Sequence, residues 1–188
     1  MPDFFVYSRD APGTAHLRDD DELLEEHWSY MDAFAGSMVA RGPTLGSDRE
    51  TATGSLHVLG LPSDDAAREF VAGEPNNRAG VYAEHLVYRF ENLLGRTMWE
   101  FSAAADEPMF LIIARSAGDQ AESLPPALRE RLILYGTLTT LDDNPVGVAL
   151  AVQARDRDAA RALLAEAQPA ADGLADLEIH DWQFGGRR

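Results

Sequence analysis

Hydrophobic and polar positions along this chain run through the same succession twice. Phe4 to Arg9 is apolar and aromatic, which predicts a strand. Ala11 to Asp20 holds Pro12, Gly13 and acidic residues, and predicts a loop. Leu24, Trp28, Met31 and Ala35 recur at helical spacing, so Asp21 to Ala35 is expected to be a helix that Gly36 ends. Ser37 to Gly42 and Gly54 to Leu61 form the arms of a hairpin around the polar stretch Pro43 to Thr53. Ser63 is a good N-cap for a second helix through Ala66, Ala67, Phe70 and Val71. Val81 to Phe90 alternates as a strand, with Tyr82, Glu84, Leu86, Tyr88 and Phe90 on one face.

The order then recurs. Met109 to Arg115 predicts a strand, and Pro125-Pro126 opens a helix that Gly136 ends. A shorter hairpin turns near Asp142 to Gly147, Asp156 to Ala167 is an alanine-rich helix, and Leu174 to Phe184 is the last strand. A β-α-β-β-α-β order occurring twice predicts an α+β fold. The expected architecture is two tandem ferredoxin-like (βαββαβ) units forming an intramolecular pseudo-dimeric α+β barrel, because packing the halves sheet to sheet covers their open faces. Residues 1–91 are the first unit, 92–107 a linker whose Trp99 and Phe101 imply that it packs, and 108–188 a degenerate repeat. Aligning the halves on Gly36 and Gly136 sets His27 opposite Ala127 and Glu74 opposite Gln168. One chemical site per chain follows, in the first unit.

Composition narrows the function. The 188 residues are 45% hydrophobic, ample for packed cores, and carry a formal net charge of −16. So acidic a surface repels phosphate backbones and anionic lipid, so neither nucleic-acid nor membrane-surface roles are expected. The chain has no cysteine, and so no disulfide, thiol nucleophile or Cys-type zinc site. Met1-Pro2-Asp3-Phe4-Phe5 lacks the basic and apolar regions of a signal peptide, and no apolar run approaches the roughly 18 residues of a membrane helix. A cytoplasmic protein is the expectation.

His27 is the sharpest candidate for chemistry. It lies three residues after Leu24 and four before Met31, on the edge of the buried stripe. Asp32, five residues on, does not share its face, so a carboxylate partner must come from elsewhere in the fold. Glu74 is the expected partner: it follows the second helix, and Pro75 biases it toward an extended conformation that fixes where it points. A nearby carboxylate selects the imidazole tautomer, which general acid–base catalysis needs. Taken on spacing alone, a half-buried histidine satisfied by a backbone carbonyl is the blander alternative. Arg41-Gly42-Pro43 closes the first hairpin arm; glycine admits close approach of a ligand and an arginine there can bind an anionic one, the alternative being an ordinary turn with a solvated arginine. Asn76, with Asn77 and Arg78, follows Glu74 toward the same pocket or forms a polar loop. His16, His57, His85 and His180 are scattered, so no metal site is expected. No Gly-rich phosphate loop follows a strand and no Gly-x-Ser-x-Gly nucleophile elbow appears, and no cofactor is expected.

These residues carry a resemblance. His27 in the first helix, Gly42-Pro43, Glu74-Pro75, and Ala79-Gly80-Val81-Tyr82 at the start of the last strand make residues 4 to 91 similar to the YCII-related family, a branch of the dimeric α+β barrel superfamily. Glu74 stands where that family usually has aspartate, and Glu25-Glu26 where an arginine often precedes the histidine. The resemblance implies a ferredoxin-like fold, barrel-forming dimers and a His/acid pair as the active site; a chlorinated-hydroquinone dehydrochlorinase is among the members with an assigned reaction. The expected function is a cofactor-independent lyase or isomerase moving a proton on a small metabolite. His27 is then base or acid, Glu74 its orienter, and Arg41, Gly42, Pro43 and Asn76 the substrate contacts. The alternatives are a non-catalytic small-molecule-binding or regulatory protein of the same fold and a cofactor-free monooxygenase. The expected partner is a small molecule, with the remaining surface open to a homodimer.

Overall fold

The computed structural model describes residues 1–115, 124–167 and 176–186. Its strands are β1 (Asp3–Asp10), β2 (Met38–Leu45), β3 (Ala52–Gly60), β4 (Tyr82–Asn92), β5 (Met109–Arg115), β6 (Leu132–Thr139), β7 (Pro145–Gln153) and β8 (Asp176–Trp182). Its α-helices are α1 (Asp21–Asp32), α2 (Asp64–Gly73), α3 (Pro75–Arg78), α4 (Pro126–Arg129) and α5 (Arg157–Ala167). The strands close into one barrel in the order β1-β3-β2-β8-β5-β7-β6-β4. Closure removes the exposed edges that an open sheet must otherwise protect. No helix among the described residues is long and apolar enough to cross a membrane.

Local chemistry sets the helix starts. The Asp20 side chain accepts from Leu23 N at the start of α1, and Asp21 and Glu22 favour its positive N-terminal end. Ser63 Oγ accepts from Ala66 N at the start of α2. α1 stops at Asp32, and a 3₁₀ turn over Ala35–Ser37 leads into β2.

The second half departs from its expected helix. α4 covers only Pro126–Arg129, and the stretch expected to continue it is strand β6. Leu132, Ile133, Leu134 and Tyr135 are all buried, which a strand covered on both faces requires. A short continuous apolar run has no period that separates such a strand from a buried helix. Gly136 is therefore no helix stop; it sits in β6 opposite Asn92 of β4, where an added Cβ would lie 2.3 Å from Glu91 O. Ala127 lies in α4, while Gln168 and Gly173 fall outside the described residues. Residues 76–78 belong to α3 rather than to a loop.

Strand pairing repeats between the halves down to its irregularities. On β3, Arg41 pairs with His57, Gly42 with Leu56 and Pro43 with Ser55. On β7, Tyr135 pairs with Leu150, Gly136 with Ala149 and Thr137 with Val148. The register slips between Met38 and Ala40 in one ladder and between Leu132 and Leu134 in the other. Where the halves meet, Thr44 pairs with Trp182 and Leu138 with Phe90.

Three apolar clusters follow from strand alternation. Phe5, Tyr7, Leu56, Phe90, Leu111, Ile113, Leu134 and Trp182 fill the barrel with residues of both halves. Met98 joins them, so the 92–107 segment packs into the barrel core. Phe4, Val6, Met31, Leu59 and Phe70 lie between the outer face of the first four strands and α1 and α2. Phe110, Ile112, Leu150, Leu163 and Leu164 do the same under α5.

Candidate active site

The site grows from the turn after α2. Glu74 is extended at φ −65° and ψ 125°, and serves as N-cap of α3, with Pro75 at the first helical position. Its Oε2 accepts from Asn77 N at 2.8 Å. Its Oε1 lies 2.5 Å from His27 Nδ1. Glu74 is 2% exposed, so the carboxylate is held away from water by two partners. Facing an ionised carboxylate, which only accepts, a neutral imidazole keeps its proton on Nδ1 and presents Nε2 as an acceptor. Nε2 has no hydrogen-bond partner among the described residues.

Asn76 lies beside the same histidine. It is buried, with Nδ2 3.1 Å from His27 Nδ1 and 3.4 Å from Tyr82 Oη. Tyr82 Oη donates to Ser55 Oγ at 3.1 Å, and Arg18 donates to the same Ser55 oxygen at 3.1 Å. Arg18 is fixed by a two-point ion pair with Asp10, at 2.7 and 2.6 Å, and lies over the Tyr82 ring. Burial, and then the Glu74 charge, hold the Tyr82 phenol above its usual range, so it stays protonated and can donate.

His27 lines a cavity of about 570 Å³. Arg41, Gly42, Pro43 and Asn76, the expected substrate contacts, line it too. Asn76 directs its amide nitrogen at Tyr82 Oη as well as facing the cavity. Arg41 is buried at the cavity wall, its backbone N–H directed at Met98 Sδ. Leu24, Trp28, Met31 and Leu45 supply apolar lining, giving the mix of apolar wall and a few placed polar groups typical of a small-molecule site.

Sequence reasoning passed over Arg18, Ser55, His57 and the tail Gln183–Gly186, all of which line the cavity. The His57 ring centroid lies 5.9 Å from that of His27, and its edge meets Phe70. Burial pushes the His57 imidazole well below its usual range, helped by the neighbouring His27, Arg41 and Arg18, so it is neutral near pH 7. Alternation in β3 was the usable signal: it puts Ser55 and His57 on the helix-facing side with Leu59. The tail gave no local signal, because only closure of the barrel brings it beside β2. Among the described residues, no group of three or more His, Asp or Glu is placed to hold a metal ion.

Comparison with known proteins gives one family match and several likenesses of fold. Residues 3–91 match the YCII-related domain. A 5-chloro-2-hydroxyhydroquinone dehydrochlorinase from Burkholderia phenoliruptrix is 28% identical, over 45% of this chain and 89% of its own, at a TM-score of 0.41. A chlorite dismutase from Candidatus Nitrospira defluvii shares 9% identity over 96% of this chain and 90% of its own, at a TM-score of 0.57. A proposed monooxygenase from Lactobacillus acidophilus shares 10% identity over 97% and 94%, at 0.52. These last two likenesses are of fold. No curated protein sequence matches the chain. Residues 3–91 thus match the YCII-related domain, and the chain as a whole shares its fold with the chlorite dismutase and the monooxygenase.

Proposed function

We propose that the protein is a cofactor-independent lyase or isomerase that transfers a proton on a small organic molecule through His27. The observation that carries this reading is the pair itself. Glu74 Oε1 accepts from His27 Nδ1–H at 2.5 Å, which leaves a basic Nε2 on a histidine that lines a cavity of about 570 Å³. Nε2 abstracts a proton from substrate carbon or oxygen, and the imidazolium is stabilised by the buried carboxylate. Return of the same proton to another substrate atom completes an isomerisation; delivery to a departing group completes an elimination. Arg41 meets an anionic end of the substrate, with Gly42 and Pro43 as backbone wall. Neutral His57 beside the pair adds no charge to compete with the imidazolium.

The same proposal extends to architecture. Residues 1–91 and 108–188 are two ferredoxin-like units joined by 92–107, and their pairing makes the barrel within one chain. The repeated register and the matched slips in β2 and β6 support it. Outer surface remains for contact with a second copy.

His27→Gln keeps size and hydrogen bonding but removes the exchangeable proton. It should shift stability by less than about 1 kcal/mol in denaturant melts and abolish turnover of any substrate found by a thermal-shift screen of small metabolites. A non-catalytic binding protein makes the opposite prediction, with ligand affinity retained and no turnover in the parent chain. A large loss of stability with unchanged ligand binding would mark His27 as a packing residue and end the enzyme reading.

A further inference from the structure

The tail that follows β8 runs along β2 and forms part of the cavity wall. Gln183 N donates to Pro43 O at 3.3 Å, and Gly185 N donates to Arg41 O at 3.1 Å. The approach is close enough that a Cβ on Gly42 would lie 1.9 Å from Gln183 O. The other side of the barrel has the same arrangement. There Leu93 N donates to Tyr135 O at 3.0 Å, and a Cβ on Gly136 would lie 2.3 Å from Glu91 O. The ladders fix the correspondence rung by rung. Arg41 matches Tyr135, His57 matches Leu150 and Ser55 matches Val148. Gly185 then matches Leu93, and Gly186 matches Leu94.

The two equivalent places have opposite contents. Around Leu94, which is 5% exposed, Tyr135, Val148 and Leu150 pack into one apolar cluster with α5. Around Gly186 the same positions are Arg41, Ser55 and His57, and the space between them is the cavity. Gly186 has φ +82°, and a Cβ there would lie 2.4 Å from Arg41 Cζ. The guanidinium therefore rests against bare backbone that only glycine offers.

We infer that Gln183–Gly186 is a specificity-determining part of the first half's site: its glycines keep open the volume that leucines fill on the opposite side, and they position Arg41 for the anionic end of a substrate. The second half thus contributes one wall of the site as well as half of the barrel. The inference rests on the cavity being the active site, but its test reads chemical access and not turnover, so it stands or falls separately from acid–base chemistry at His27.

Two variants test it, with melting curves to confirm folding. Gly186 is exposed, so neither change strikes the core. Gly186→Leu rebuilds the filled arrangement. Carbethoxylation of His27 by diethylpyrocarbonate, followed by peptide mass spectrometry, should slow severalfold relative to the parent. Gly186→Ala is the smaller change. It should displace the Arg41 guanidinium, so that phenylglyoxal modifies Arg41 severalfold faster while His27 stays reactive. An unchanged His27 rate in Gly186→Leu, an unchanged Arg41 rate in Gly186→Ala, or a His27 that is inert in the parent chain overturns the inference.

Discussion

Glu74 divides its carboxylate between two jobs: Oε1 lies 2.5 Å from His27 Nδ1, while Oε2 caps α3 through Asn77 N. The cap fixes the carboxylate by backbone geometry, so the histidine is oriented by a group that cannot swing away without opening a helix start. The two jobs separate under substitution. Glu74→Gln keeps an oxygen for Asn77 N, and stability should fall by no more than about 1 kcal/mol. Its amide nitrogen, however, turns toward Nδ1 and donates, which moves the imidazole proton to Nε2 and removes the base. Nitrogen chemical shifts of His27, read near pH 8, should exchange their protonated and unprotonated signatures relative to the parent. Identical patterns in both proteins would disprove the tautomer assigned here. Glu74→Ala loses the cap as well and should cost about 1–2 kcal/mol.

A second expectation concerns acid. Burial, with His27, Arg41 and Arg18 adding to it, depresses the folded-state affinity of His57 for a proton. The unfolded chain binds that proton near the ordinary pH of about 6.5, while the folded chain resists it. More protons are then bound unfolded than folded, so stability rises with pH across this window and is lost as pH falls below about 6.5. One such group contributes a slope of at most about 1.4 kcal/mol per pH unit. His85 is also held below its usual range, chiefly by burial, against the raising effect of Glu74 and Glu84, and adds with the same sign. Replacing His57 by Leu, the residue at the matching position 150, should flatten the profile. Denaturant midpoints between about pH 5 and 7 give the comparison, and equal slopes in the two proteins would contradict it.

A third expectation concerns barrel closure. A Cβ at Gly136 would meet Glu91 O at 2.3 Å and the Phe90 ring at 2.4 Å. Neither neighbour yields cheaply, since one is backbone and Phe90 is 4% exposed in the barrel core. Gly136→Ala should therefore destabilise by about 1–3 kcal/mol, as overpacking of a filled core does. Equilibrium unfolding measures it; a change of only a few tenths would show that β4 and β6 separate more easily than their register implies. Gly80, with φ +77° and nothing within 4 Å of an added Cβ, is the contrast: Gly80→Ala tests backbone strain alone.

Local pattern determined much of this protein. The strands of the first half, the caps at Ser63 and the turn at Glu74-Pro75 were legible because each rests on short-range chemistry: alternation, capping oxygens and the restriction that proline places on its neighbour. His27 and Glu74 were legible as a pair because a helix edge and a fixed turn leave few places for either side chain to point. β6 was not legible. Its run Leu132 to Tyr135 is buried on both faces, and that burial exists only once β4, β7 and the barrel interior surround it. The same holds for the cavity. Ser55 and His57 face it because β3 lies under α1, and Gln183–Gly186 wall it because closure brings the end of the chain beside Arg41. Which side of the barrel is filled and which is open was set by residues far apart in sequence, Gly186 beside Arg41 and Leu94 beside Tyr135. Their proximity is a property of the closed barrel, and no local propensity encodes it.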